Sequence, residues 1–153
     1  MVKKIGPEHA QALGRLEAEI YPPAFCLGWQ DFNEDLEQAE YKNKNFSFGS
    51  FEGNEIVGYL IAYIQNQEIF VSDLAILPQF RVGRNLVMLL TAFLQAASQT
   101  KLPIVAECRE NSHNLSLCEN FFGKFGYTLV HNASGEWRCG EQMYDIKFSY
   151  TRP

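Results

Sequence analysis

The chain has 153 residues, of which 46% are hydrophobic and 14% aromatic, and its formal net charge is -5. That length holds one packed core and is too short for two ordinary domains, so a single domain over residues 1–153 is expected. The acidic balance argues against broad attraction to nucleic acid or to an anionic membrane, because a polyphosphate surface needs a dense positive patch to release its counterions.

Val2 to Ile5 reads as a short strand. Leu13, Leu16, Glu17 and Ile20 then follow a helical spacing, and Pro22 and Pro23 end that helix because proline cannot donate to the next turn. A second helix is expected from near Asp31, with Phe32 and Leu36 at i and i+4. Phe46, Phe48 and Phe51 alternate with small polar residues, Glu52-Gly53-Asn54 marks a turn, and Ile56 to Ile64 is a β-branched and aromatic run; together they predict a hairpin. Ile69 to Leu77 is a third strand that stops at Pro78.

The period then changes. Leu86, Leu89, Leu90, Phe93, Leu94 and Ala97 form one stripe of a helix ending near Thr100. Pro103 to Cys108 reads as a buried strand, and Leu117, Cys118, Phe121, Phe122 and Phe125 as the apolar face of a further helix. Ser116 with Glu119 fits a capping box at its start, and Gly126 fits a left-handed stop at its end. Tyr127 to His131 and Gln142 to Tyr150 are expected as closing strands, with Asn132 to Glu136, "NASGE", beginning the loop between them. This order predicts mixed α and β structure around one sheet, with some parallel pairing where a helix links two strands.

Cys26, Cys108, Cys118 and Cys139 form no C-x-x-C pair, and Met1 to Pro7 carries no apolar leader, so free thiols of a reducing cytoplasm are expected. His9, His113 and His131 lack zinc spacing, and no metal is expected. No apolar run approaches the roughly 18 residues that a membrane span requires.

The segment "PQFRVGRNLVMLL", Pro78 to Leu90, places Arg81 and Arg84 around Gly83 where a helix begins. The first helical turn has N–H groups without intrahelical partners and carries partial positive charge. Arginines there oppose the macrodipole by a few tenths to ~1 kcal/mol each, which an anionic ligand would offset. Gly83 would allow close approach to the backbone, so a phosphate or pyrophosphate cradle is one reading and solvated surface charge is the other.

Three stretches resemble the GNAT superfamily of acyl-CoA-dependent N-acetyltransferases. "DLAILPQFRVGRNLVMLL" (Asp73 to Leu90) is similar to the family's L-A-V-x-P strand, its Q/R-x-x-G-x-G/A loop and its long helix. "ECREN" (Glu107 to Asn111) is similar to the strand and loop that precede the last motif, and "ENFFGKFGY" (Glu119 to Tyr127) to the L-Y-x-K-x-G-F ending. The order and near-family spacing of the three make the likeness more specific than any one of them.

The resemblance implies a mixed, mostly antiparallel central sheet flanked by about four helices, with a splayed central strand. It also implies acetyl-CoA as co-substrate, with Leu74, Ala75, Ile76 and Leu77 receiving the pantetheine arm. Arg81, Val82, Gly83, Arg84 and Asn85 would hold the pyrophosphate, and Asn114 and Phe122 would touch the cofactor. Arg84 and Leu86 stand where the family has small residues, so Arg84 either binds phosphate itself or narrows the cradle.

Acetyl transfer to an amine needs a base, an oxyanion donor and an acid. The resemblance puts the base at Glu107 and gives Asp73 the task of binding or deprotonating the amine. Alternation puts Asp73 and Ala75 on one face of their strand, Leu74 and Ile76 on the other. Phe122 stands at the family's acid tyrosine and has no proton to give, leaving water, Tyr127 or Tyr144 as donors, or direct departure of the thiolate. Cys118 has neither a base nor a positive neighbour in sequence to activate it as a nucleophile.

The acceptor side is expected from Glu19 to Leu36, where Tyr21, Phe25 and Trp29 offer apolar area and Asp31, Glu34 and Asp35 offer charge for a cationic amine. The expected function is direct transfer of the acetyl group to a primary amine, by a monomer or homodimer. The alternative is a GNAT-like module that binds acyl-CoA without turnover.

Overall fold

The computed structural model describes residues 1–21, 29–41, 45–81, 83–109, 115–138 and 141–152. In chain order the elements are β1 (Val2–Lys4), α1 (Ala10–Ile20), α2 (Trp29–Tyr41), β2 (Phe48–Glu52), β3 (Glu55–Gln65), β4 (Glu68–Ile76), α3 (Arg84–Thr100), β5 (Ile104–Arg109), α4 (Leu115–Gly123), β6 (Tyr127–Arg138) and β7 (Glu141–Tyr150). The strands form one seven-stranded sheet in the order β1-β2-β3-β4-β5-β7-β6. Among the described residues only the β4–β5 pair is parallel and the other five strand pairs are antiparallel. α3 makes the crossover that parallel pairing demands.

Two apolar layers flank the sheet. On one face α3 presents Leu89, Leu90, Phe93, Leu94 and Ala97, all buried, to Leu60, Ile69, Ile76, Ile104 and Phe148. The 3.6-residue period of that stripe is what turns it to the sheet, while Val87 and Met88 face outward. On the other face Leu13 and Leu16 of α1 and Phe32 and Leu36 of α2 cover Tyr59, Ile61 and Ala75. Among the described residues no helix is long and apolar enough to cross a membrane.

The sheet opens in the middle. β4 pairs with β5 only at Ile69↔Ile104, Phe70↔Val105 and Val71↔Ala106. Beyond those pairs β5 runs on against β7 and β4 runs on against β3. Opposite β3 the register steps from Ala62↔Val71 to Ile61↔Asp73, leaving Ser72 as an extra residue. Such a bulge bends and twists its strand, and here it falls where β4 leaves β5.

Two sequence expectations are corrected. "NASGE" does not begin a loop: Asn132 to Glu136 lie within β6, which pairs with β7 as far as Arg138↔Glu141 and absorbs its irregular residues at register shifts. Ser116 is the second residue of α4 and so stands inside the helix, not at its cap. Gly126 has φ 93°, a glycine conformation, but it follows a tightened turn in which Lys124, Phe125 and Gly126 donate to Phe121, Phe122 and Gly123.

Candidate active site

The splay of β4 and β5 makes a fork whose arms each carry a carboxylate. Asp73 lies two residues beyond the last β4–β5 pair on one arm, and Glu107 lies one residue beyond it on the other. Ala75, of the same parity as Asp73, packs among α1 and α2, whereas Ile76 packs with α3, which fixes Asp73 on the α1/α2 face. Glu107 shares its parity with Val105, and both line an open cleft of about 330 Å³ with Phe70, Asp145 and Lys147. Asp145 is directly opposite Glu107 across the β5–β7 ladder. Lys147 Nζ bonds Glu68 Oε2 at 2.8 Å beside it.

The edge of β4 that faces the fork is polar backbone. Leu77 N–H bonds Val57 O at 2.9 Å, so by alternation the odd residues of this stretch turn their main-chain groups to β3 and the even ones toward the fork. The Tyr21 hydroxyl donates to Leu74 O at 3.0 Å, and Arg81 Nε donates to Ile76 O at 2.9 Å. Both contacts satisfy carbonyls that lost their strand partner when β5 diverged.

At the end of β4 a short 3₁₀ turn, Pro78–Phe80, leads to α3. Gly83 is the N-cap of that helix, with φ 125° and ψ -158°, and no side chain caps the first turn, which contains no acidic residue. A Cβ on Gly83 would meet nothing within 4 Å, so the ground above it is open. Arg81 and Arg84 are both exposed beside it. Asn85 is turned inward and its Nδ2 donates to Glu52 Oε1 at 3.2 Å, leaving its main-chain N–H for the helix end. An uncapped helix terminus, an open glycine and two arginines together suit a pyrophosphate.

Asp73 belongs to a cluster that local sequence does not disclose. Tyr59 Oη lies 2.9 Å from Asp73 Oδ2 and 3.2 Å from Glu17 Oε2. Burial, the largest influence, pushes the Asp73 carboxyl up, against hydrogen bonds with Tyr59, Glu17 and the Leu74 backbone that pull it down. The Tyr59 hydroxyl is also pushed up, by burial first and then by the charges of Asp73 and Glu17, so it stays a neutral donor. One signal was available: Glu17 stands in the apolar stripe of α1, an acid where the helix faces the core.

Phe122 is buried with its ring centroid 4.5 Å from that of Phe148. The Tyr127 hydroxyl donates to Leu102 O at 2.9 Å and burial pushes its pKa up to about 12, which commits it to the core. Tyr144 lies opposite Cys108 at the next strand over from the fork. Burial also pushes the Cys118 thiol up, the wrong direction for a nucleophile. Phe25, Val82 and Asn114 lie outside the described residues, as does the side chain of Trp29, while Trp29 itself begins α2.

A sheet forked between its central parallel strands, with an open helix terminus at the fork, is an arrangement for holding an extended, phosphorylated acyl carrier. The sequence profile of the Acetyltransferase (GNAT) family matches residues 11–127. The chain belongs to that family of acetyl-CoA-dependent N-acetyltransferases.

Its fold is similar to that of the ribosomal-protein-S18-alanine N-acetyltransferase of Escherichia coli, at TM-score 0.75 and 11% identity over 100% of this chain and 95% of that one. It is also similar to Arabidopsis thaliana Naa50 in complex with the bisubstrate analogue CoA-Ac-MVNAL, at TM-score 0.69 and 14% identity over 96% of each chain. The paia N-acetyltransferase of Thermoplasma acidophilum in complex with coenzyme A aligns at TM-score 0.63 and 13% identity, over 95% of this chain and 96% of that one. No curated protein matches the chain significantly in sequence.

Proposed function

We propose that the protein transfers the acetyl group of acetyl-CoA directly to a primary amine, without a covalent enzyme intermediate, and that a protein N-terminus is the first acceptor class to test. The observation that carries the reading is the fork, with Asp73 and Glu107 on its two arms and the open terminus of α3 at its end. Two structural relatives support the acceptor class, one a ribosomal-protein-S18-alanine N-acetyltransferase and the other in complex with the bisubstrate analogue CoA-Ac-MVNAL.

In this reading the stretch Leu74, Ala75, Ile76 and Leu77 holds the pantetheine arm as a strand neighbour would, through the main-chain groups of Leu74 and Ile76 that face the fork. Arg81, Val82, Gly83, Arg84 and Asn85 hold the pyrophosphate, the arginines by charge and the rest by main-chain N–H groups. Asn114 and Phe122 border the cofactor. Glu107 takes the proton of the attacking amine, directly or through water, and Asp73 orients the ammonium before it is deprotonated. Tyr21, Phe25 and Trp29 bound the acceptor; the Tyr21 hydroxyl is already in the fork, on Leu74 O. With Tyr127 committed to Leu102, Tyr144 or water protonates the departing thiolate.

The same reading assigns one domain to residues 1–153, acting as a monomer or homodimer in a reducing cytoplasm, with no nucleic acid or membrane partner; the net charge of -5 supports it. Acetyl transfer followed by thiol release, with free-amine peptides as acceptors, tests it. Glu107→Gln is expected to lower the rate by roughly 10² to 10⁴ and to flatten its rise with pH. An unchanged pH profile contradicts the role of Glu107. Coenzyme binding without thiol release for any amine leaves a binding module instead.

A further inference from the structure

Glu17 and Asp73 come from α1 and β4, yet both lie within hydrogen-bond distance of the single Tyr59 hydroxyl, and Asp73 is also hydrogen-bonded to Glu17. Two carboxyl groups in contact require a proton between them. Tyr59 has one proton to donate and two carboxyl oxygens to satisfy, so its second contact is favourable only if one carboxyl is itself a donor.

The environment decides which one. Glu17 is 2% exposed, beneath the packing of α1 on the sheet. Asp73 is less deeply buried and is hydrogen-bonded to Tyr59, Glu17 and the Leu74 main chain. Burial penalises a charge most where it is deepest, so the proton belongs on Glu17 and the charge on Asp73. Among the described residues the Tyr21 hydroxyl, which stands on Leu74 O, also acts on Tyr59. α2 presents the Phe32 ring to Tyr59, edge to face at 5.5 Å.

We propose that Glu17 is a positioning residue for amine recognition: it holds one proton shared with Asp73 and so keeps Asp73 as a singly charged, fixed acceptor for the ammonium of the substrate. This rests on the acetyl-transfer reading of the fork given above. It adds a residue that touches neither acyl carrier nor acceptor and acts only through Asp73.

The test is a carbon-detected NMR titration of the side-chain carboxyls in the full-length protein. In the wild type the Glu17 and Asp73 carboxyls should report the same two-step curve, as interacting sites do. Glu17→Gln keeps a donor but removes the second acid, so Asp73 should titrate in one step. Glu17→Leu removes the donor as well, and Asp73 should ionise more than about one pH unit above its midpoint in Glu17→Gln. Saturating propylammonium chloride should move the Asp73 carboxyl signal in the wild type and in Glu17→Gln, and less in Glu17→Leu at the same pH. With acetyl-CoA and a peptide bearing a free N-terminal alanine, Glu17→Leu should raise KM for the peptide roughly tenfold and move the acid limb of kcat/KM to higher pH, with Glu17→Gln restoring both.

Independent single-step curves for Glu17 and Asp73 in the wild type overturn the proposal, and that comparison needs no variant to fold. No response of Asp73 to propylammonium overturns it as well, as does an acid limb that is the same in all three proteins. A wild type that acetylates no peptide defeats the acetyl-transfer reading alone, since the titration and the propylammonium response decide the dyad without turnover.

Discussion

Arg81 and Arg84 flank one glycine but are not equivalent. Arg81 is bent back by the bond from its Nε to Ile76 O, which ties the loop to the end of β4, whereas Arg84 is the exposed first residue of α3. Each is expected to weaken CoA binding by ~1 to 3 kcal/mol when replaced by alanine, if both make charge-assisted phosphate contacts. Calorimetry on the two variants checks this, and unchanged affinity in both removes the arginines from the cradle. The arginines and both fork carboxylates were legible in the sequence because their motifs are local. The Glu17–Tyr59–Asp73 contact was not: its members stand 42 and 14 residues apart and meet only when α1 packs on the sheet.

At the scale of elements, the α3 stripe was readable because six apolar residues keep a 3.6 period, and tertiary packing agrees with it. β6 was not fully readable. Asn132, Ser134 and Gly135 are turn formers by propensity, yet pairing with β7 holds them in a strand whose register shifts take up the misfit. Nor was the bulge at Ser72 readable, since a bulge is a property of two paired strands and Ile69 to Leu77 reads as one continuous strand when taken alone.

The start of α3 depends on Gly83 for conformation and not for space: φ 125° is a region that side chains rarely adopt, while a Cβ there would touch nothing. Gly83→Ala is therefore expected to cost about 1 to 3 kcal/mol of backbone strain, relieved by shifting the helix terminus. Thermal unfolding should show the loss and coenzyme titration a weaker fit. Wild-type stability with wild-type affinity would contradict this account of the cap.

For the whole molecule, two partly buried carboxyls among the described residues lower stability as pH rises. Asp73 is raised by burial, and Asp35 is raised by burial and then by Glu34 and Asp31. A carboxyl with a raised folded-state pKa binds more protons in the native than in the unfolded chain. Its contribution is fully present below the unfolded value of ~3.9 and is lost as pH climbs through the raised folded value. These two groups thus lower stability with rising pH, opposite to the usual salt-bridged carboxylate. Asp73→Asn removes one of two carboxyls that share a proton and should flatten the fall in Tm as pH rises above the ordinary carboxylate range; a fall as steep as that of the wild type would contradict the assignment.

In the proposed reading the forked sheet and the open terminus of α3 together hold acetyl-CoA, the one extending from the other along β4. Calorimetric titration of the wild-type protein with acetyl-CoA, set beside pantetheine, which lacks the pyrophosphate, tests it most directly. Acetyl-CoA is expected to bind saturably, with binding lost or much weakened for pantetheine and weakening with salt. Equal affinity for the two, or no binding of acetyl-CoA, would contradict it.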